Sequence, residues 1–275
     1  MKQISILILV LAGDTKISNR NLAAQENTWM KKLPKGGRVI KYSGGSKFSF
    51  DGKRLVVEVE DDYNSLSLKA LESFKWISDN ISFDYIFRTN TSSYVDTSQL
   101  VNFCKENKDE YLYRGRRIQN TFNGSVIEWA SGAEILMSKQ TFKILMENSA
   151  DWNTNLVDDV SIGKILQEKK ITLQSSGSLL FDKSFFKIKD FNHEYHFRCR
   201  VDSPYYYPRF IEKYLINYIH KNLYNKNISF LRRVFYKTIF SLSTIFAFKK
   251  HQEYFRHYFW RLLKKFLSAN LKPNN

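Results

Sequence analysis

Two cysteines, four prolines and eleven glycines are spread over 275 residues. So few cysteines give no disulfide framework, and Cys104 and Cys199 read as reduced thiols of a cytosolic protein. No Cys/His spacing of the zinc-binding type occurs. There is no internal repeat and no low-complexity tract. Acidic residues are also short, with 27 Asp and Glu against 43 Lys and Arg and a formal net charge of +16. No stretch is apolar and uncharged for long enough to span a bilayer. The apolar run ISILILVLAG at residues 4–13 is too short for that. It reads as a signal-peptide core or, better, as a fully buried parallel strand.

What is present is core material. Hydrophobic residues make up 43% of the chain and aromatics 16%, which excludes a disordered protein. The positive charge implies anionic partners, whether nucleic acid, an acidic membrane or phosphorylated substrates. It is concentrated late. From His193 onward 16 Lys or Arg face 4 Asp or Glu, whereas the first 192 residues hold 27 against 23.

Along the first 180 residues strand-like and helix-like patterns alternate. Strands are expected at 4–11, 38–42, 55–59, 83–88 and 135–137. Helices are expected at 21–32, 64–79, 99–107, 139–148 and 161–169. The alternation predicts an α/β fold with a mostly parallel central sheet, whose ligands bind beyond the carboxyl ends of the strands. Residues 1–200 form this expected domain. Residues 201–275 form a helical C-terminal extension, entered through a hinge where Pro204 and Pro208 flank three tyrosines. Within it, residues 251–268 place aromatic and Leu pairs at steps of four, with Arg256, Arg261, Lys264 and Lys265 opposite. That amphipathic basic helix either packs on the domain or lies on an anionic membrane surface. The chain has no recognisable DNA or RNA module, so no nucleic acid is expected.

Five groups of residues carry candidate chemistry. The strand DYIFRTNTSSYVD at 84–96 delivers Arg88, Asn90, Thr91 and Ser92 to its end, a row suited to a polar substrate. Adjacent carboxylates at Asp158 and Asp159 raise each other's pKa if desolvated, which suits one of them to take a proton. They precede a helix expected to begin near Val160, so the plainer reading is a helix cap. Strand alternation puts His196, Arg198 and Arg200 on one face, where they offer cations to an anionic group or form a solvated basic edge. Arg114, Arg116 and Arg117 are further cationic candidates. Ser131 and Gly132 permit close backbone approach to a substrate or mark a turn.

The order of these segments resembles the β1,3-galactosyltransferase and Fringe superfamily of glycosyltransferases. The resemblance rests on YNSLSLKAL at 63–71 with Trp76, on DYIFRTNTSSYVD, on EWASGAEILMS at 128–138 and on NLVDDVSIG at 155–163. Thr28-Trp29 after the first strand adds to it. It covers about residues 1–180. The resemblance implies a GT-A fold, inversion at the anomeric carbon and a UDP-sugar donor, with Asp159 as general base and Asp158 beside it. It also implies a divalent cation held by an acidic DxD triplet. Here Asn90-Thr91-Ser92 stands in place of that triplet, and neutral oxygens hold Mn²⁺ or Mg²⁺ far more weakly than carboxylates do. The enzyme is then expected to use cationic side chains at the leaving diphosphate, to bind metal weakly, or to have lost catalysis.

The expectation is an inverting hexosyltransferase that moves a hexose or N-acetylhexosamine to a glycan or lipid-linked acceptor. A cytoplasmic place is expected, peripheral on the membrane, in surface polysaccharide or lipopolysaccharide assembly. The rivals are a catalytically silent sugar-nucleotide or glycan-binding protein and a basic membrane-surface adaptor.

Overall fold

The protein is described by a computed structural model over residues 3–122, 125–180, 194–200, 209, 212–224, 234 and 238. The first elements are β1 (Ile6–Leu11), α1 (Lys16–Glu26), β2 (Gly37–Gly45), β3 (Ser49–Phe50), β4 (Arg54–Glu58) and α2 (Leu66–Asn80). Then come β5 (Tyr85–Asn90), β6 (Ser93–Val95), α3 (Thr97–Glu106), β7 (Tyr113–Gly115), β8 (Arg117–Phe122) and β9 (Ser125–Ala130). The remainder are β10 (Ile135–Ser138), α4 (Lys139–Glu147), α5 (Asp158–Glu168), β11 (Leu173–Ser175), β12 (Leu179–Leu180), β13 (His196–Arg198) and α6 (Glu212–Tyr224).

The central sheet has the order β11-β7-β10-β5-β1-β2-β4-β3. Its heart, β5-β1-β2-β4, is parallel, while β10 runs antiparallel to both β5 and β7. The α/β class with a mixed, mostly parallel sheet is therefore as the sequence led one to expect. The apolar run at 4–13 supplies β1, buried between β2 and β5, which explains why it lacks polar alternation. Register then fixes the site: Leu11 pairs with Tyr42 on one side and Asn90 on the other, so β1 and β5 end level while β2 runs on to Gly45.

Helices α2, α4 and α5 share a core with the sheet through Phe74, Ile77, Phe142, Leu145, Ile162 and Ile165. Phe142 meets Phe74 at 5.4 Å and Phe83 at 5.3 Å between ring centroids. Thr15, Asp96 and Ser138 cap α1, α3 and α4 by accepting backbone N–H bonds. The Thr15 cap starts α1 at residue 16 rather than 21, and residues 29–32 tighten into a 3₁₀ turn.

A small sheet, β12-β13-β6, and a hairpin, β8-β9, stand beside the main one. Two compact units divide the chain, residues 1–201 with 209–226 and residues 202–208 with 227–275. Helix α6 belongs to the first unit, where it packs on α1 and buries Leu215, Ile216 and Ile219. The expected hinge and the amphipathic helix at 251–268 lie outside the described residues. Among the described residues no helix is long and apolar enough to cross a membrane, and Cys104 and Cys199 are both buried free thiols.

Candidate active site

Strand β5 builds the site because its alternation sends Arg88 and Asn90 to the same face, about 7 Å apart. Arg88 is 2% exposed and forms an ion pair with Asp158, itself 1% exposed. Its Nε donates to the Tyr42 hydroxyl at 3.0 Å. Burial pushes the Asp158 carboxyl up to about 6 against the pull of Arg88. Arg88 and Asp158, both expected to meet substrate, are thus paired with each other, and the pair holds α5 against β5 beside Asp159.

Asp159 has a different environment. It is half-buried in the first turn of α5, and its Oδ2 accepts the Gly132 N–H at 2.7 Å. The helix begins at Asp158, two residues earlier than expected, and its cap position is Val157, which has no side-chain oxygen to offer. Neither aspartate is therefore the cap residue. Gly132 sits in a turn where the Glu134 N–H bonds the Ser131 carbonyl at 2.7 Å. A Cβ on Gly132 would lie 2.5 Å from Arg88 Nη1 and 3.1 Å from Asp159 Oδ2. Only glycine lets the turn come close enough to hold that carboxylate. Ser131 is buried, and its N–H bonds the Arg116 carbonyl at 2.8 Å.

Around Asn90 the charges are reversed. Asn90 Oδ1 accepts from the Ser92 N–H at 3.0 Å, from Ser93 Oγ at 3.3 Å and from Arg198 Nη1 at 3.1 Å. Thr91 is buried against Ser18, hydroxyl to hydroxyl at 3.3 Å, and Ser92 Oγ accepts from Arg209 Nη2 at 3.3 Å. Arg198 reaches this turn because β13 pairs antiparallel with β6, placing Arg198 opposite Ser93. His196 differs from the expected cation. It is 1% exposed, with its ring nitrogens at 3.0 Å from Ser93 Oγ and 2.7 Å from Ser178 Oγ, and with Glu134 3.5 Å away. It braces β6 from inside. Arg200 follows β13 and is exposed. Arg114 lies over the Phe103 ring and Arg117 beside Glu128 at 3.6 Å, both occupied away from Asn90.

A divalent cation does not suit this turn. The Asn90 oxygen already accepts three donors, and an Arg guanidinium stands where a second cation would be repelled. Among the described residues no group of three or more His, Cys, Asp or Glu is placed to hold a metal ion.

Four contributors escaped the sequence reading. Tyr42 was legible only through register, because nothing near it in sequence points to Arg88. Gln25 Nε2 spans the Asn90 and Ser93 carbonyls at 3.0 and 2.6 Å, tying α1 to the turn. Asp61 accepts the Asp14 N–H at 2.8 Å, the Gly44 N–H at 3.2 Å and Lys69 Nζ at 2.5 Å, and so joins the ends of β1 and β2. Its signal was the acidic cluster closing β4. Arg209 was the fourth, hidden in the basic tail. A cavity of about 960 Å³ lies at the opposite end of the sheet, lined by Ile4, Asp84, Lys105 and Lys139 among others. It is remote from these groups, and the chemistry of the strand ends outweighs its size.

The sequence model of the galactosyltransferase family matches residues 52–128, a span that includes β5 and the Asn90 turn. In three dimensions the chain is similar to a glycosyltransferase involved in the glycosylation of the major capsid of PBCV-1. That likeness has a TM-score of 0.51 at 10% identity, over 78% of this chain and 99% of that one. The galactosyltransferase LgtC aligns at TM-score 0.47 and 10% identity, over 84% and 100% of the two chains. The glycosyltransferase GlyE of Streptococcus pneumoniae TIGR4 aligns at 0.36 and 9%, over 68% and 47%. Both are too distant to bear on function. No curated protein matches significantly. Fold and family match together define the class, a glycosyltransferase with a GT-A-like fold. Within that class, residues 52–128 resemble the galactosyltransferase family, a match over less than half of the chain.

Proposed function

We propose that the protein transfers a hexose or N-acetylhexosamine from a UDP-sugar to an acceptor hydroxyl, with inversion at the anomeric carbon. Asp159 takes the proton of the acceptor hydroxyl as its oxygen attacks the anomeric carbon. The bond from that carbon to the phosphate oxygen breaks, and UDP leaves with the electron pair against cationic side chains. The observation that carries this reading is the split fate of the two aspartates. Asp158 is sealed in an ion pair, while Asp159 stays half-exposed and is oriented by the Gly132 N–H. A base needs that combination of fixed direction and access.

The acceptor is a glycan or a lipid-linked oligosaccharide of surface polysaccharide or lipopolysaccharide assembly. The basic region after residue 200 forms an extension that holds the enzyme at the cytoplasmic face of an anionic membrane. Residues 1–200, with Arg209 and the α6 segment that docks on them, carry the chemistry. Incubation of the full chain with a panel of UDP-sugars and lipid-linked acceptors, with product anomers read by NMR, tests the proposal. A product inverted relative to its donor is expected. A retained anomer excludes the single displacement, and nucleotide-sugar binding without any transfer returns the protein to the silent-binder reading.

A further inference from the structure

We infer that the Asn90–Ser92 turn, with Arg198 and Arg209 on it, is a metal-free anchor for the diphosphate of a nucleoside-diphosphate donor. The inference rests on the glycosyl-transfer reading of the site and deepens it by naming what replaces the cation. Two donors of fixed polarity, the Ser92 N–H and the Arg198 guanidinium, hold the Asn90 amide with its oxygen toward them. The rest of that amide is the Nδ2 donor, which suits an anion and not a cation. Arg198 is 8% exposed, so its charge sits in a poorly solvated place where a phosphate partner gains most from it.

Arg209 supplies the accessible half of the anchor. Its Nε lies 2.9 Å from Glu212 Oε1 and its Nη2 3.3 Å from Glu212 Oε2, a fork that fixes the guanidinium plane. The same Nη2 reaches Ser92 Oγ, yet the side chain remains 42% exposed. Glu212 is itself 2% exposed and accepts from Asn21 of α1, so the fork is anchored to the body of the domain. An arginine aimed by a buried carboxylate, with exposed surface left over, is arranged for a ligand rather than for a structural pair. The two cations come from β13 and from the residues just ahead of α6, and they meet over the turn that β5 presents. A diphosphate bridging them forms charge-assisted hydrogen bonds to two guanidiniums in place of bonds to a metal.

Calorimetric titration of the full chain with UDP, GDP, ADP and UMP, in EDTA and again with Mn²⁺, tests this. One nucleoside diphosphate is expected to bind with affinities within about twofold in the two buffers, and more tightly than its monophosphate. Arg209→Gln, a substitution at a half-exposed side chain, should weaken diphosphate binding roughly tenfold and leave the monophosphate unchanged. Arg198→Gln should do the same, with circular dichroism reporting whether it stays folded. Diphosphate binding that requires Mn²⁺ overturns the inference while leaving glycosyl transfer standing. Unchanged diphosphate affinity in Arg209→Gln also overturns it. Binding of no nucleotide in either buffer overturns both.

Discussion

Arg88 and Asn90 lie two residues apart on one face of β5, yet they organise opposite chemistry. At Arg88 a buried cation is matched by a buried carboxylate, Asp158, and both charges are consumed in holding α5 to the sheet. At Asn90 the strand offers only a neutral oxygen, and the cation comes from elsewhere, from Arg198 on β13. The first patch is closed and structural. The second sets a guanidinium against a neutral amide oxygen. Two neighbouring positions on one strand can therefore sit in fields of different sign, because the partner, not the strand residue, sets the field.

The comparison breaks most readily at Arg88. Arg88→Met strands the Asp158 carboxylate in the interior and should lower stability by about 3–5 kcal/mol in denaturant unfolding. Adding Asp158→Leu should recover most of that loss, since a buried ion pair exchanges for apolar packing at little net expense. A single variant as stable as the wild type would show that the pair is solvated after all.

Gly132→Ala strikes the link between the two aspartates. Its Cβ would press on Arg88 Nη1 at 2.5 Å, so a stability loss of about 1–3 kcal/mol is expected. Turnover should fall further than donor affinity does, because the shifted turn moves the backbone N–H of residue 132 off Asp159, and steady-state kinetics separates the two effects.

Asn90→Asp sharpens the contrast from the other side. A carboxylate facing Arg198 makes an ion pair of a neutral contact and should raise the unfolding midpoint by about 1 kcal/mol in stability. Diphosphate affinity should drop in the same protein, because the guanidinium is then neutralised within the fold.

The smallest effect is expected at His220 on α6. Burial holds its ring down to about 4, with Lys32 and Lys221 adding to the shift, and Tyr94 meets its Nδ1 at 2.9 Å. The neutral ring is favoured in the folded state, so its contribution is full above about 6.5 and is lost as pH falls toward 4. Urea midpoints for His220→Asn should be flatter than wild type across that window.

Much of this was legible in the chain. The unbroken apolar run of β1, the 3.6-residue period of α2 and the Ser138 cap each speak through local pattern, and they gave elements within a few residues of their observed ends. The short strands β7 to β9 did not stand out. β7 and β8 carry Arg, Gln and Asn, and all three are defined by pairing with partners rather than by composition. Site residues followed the same rule. Asp159 and Asn90 could be picked out by order in the sequence, but the commitment of Asp158 and Arg88 to each other could not, since 70 residues separate them. His196 looked like a surface cation because alternation predicts a face and not whether that face is covered. Arg209 and Glu212 gave no signal at all before α6 was seen to dock on α1.

The role of Asp159 is the claim on which the rest depends. Release of UDP from a donor sugar by the full chain, measured in EDTA for wild type and Asp159→Asn, tests it most directly. Turnover is expected to survive chelation in the wild type and to fall by about 100-fold or more in the variant, with UDP affinity kept. Equal turnover by Asp159→Asn would contradict the account.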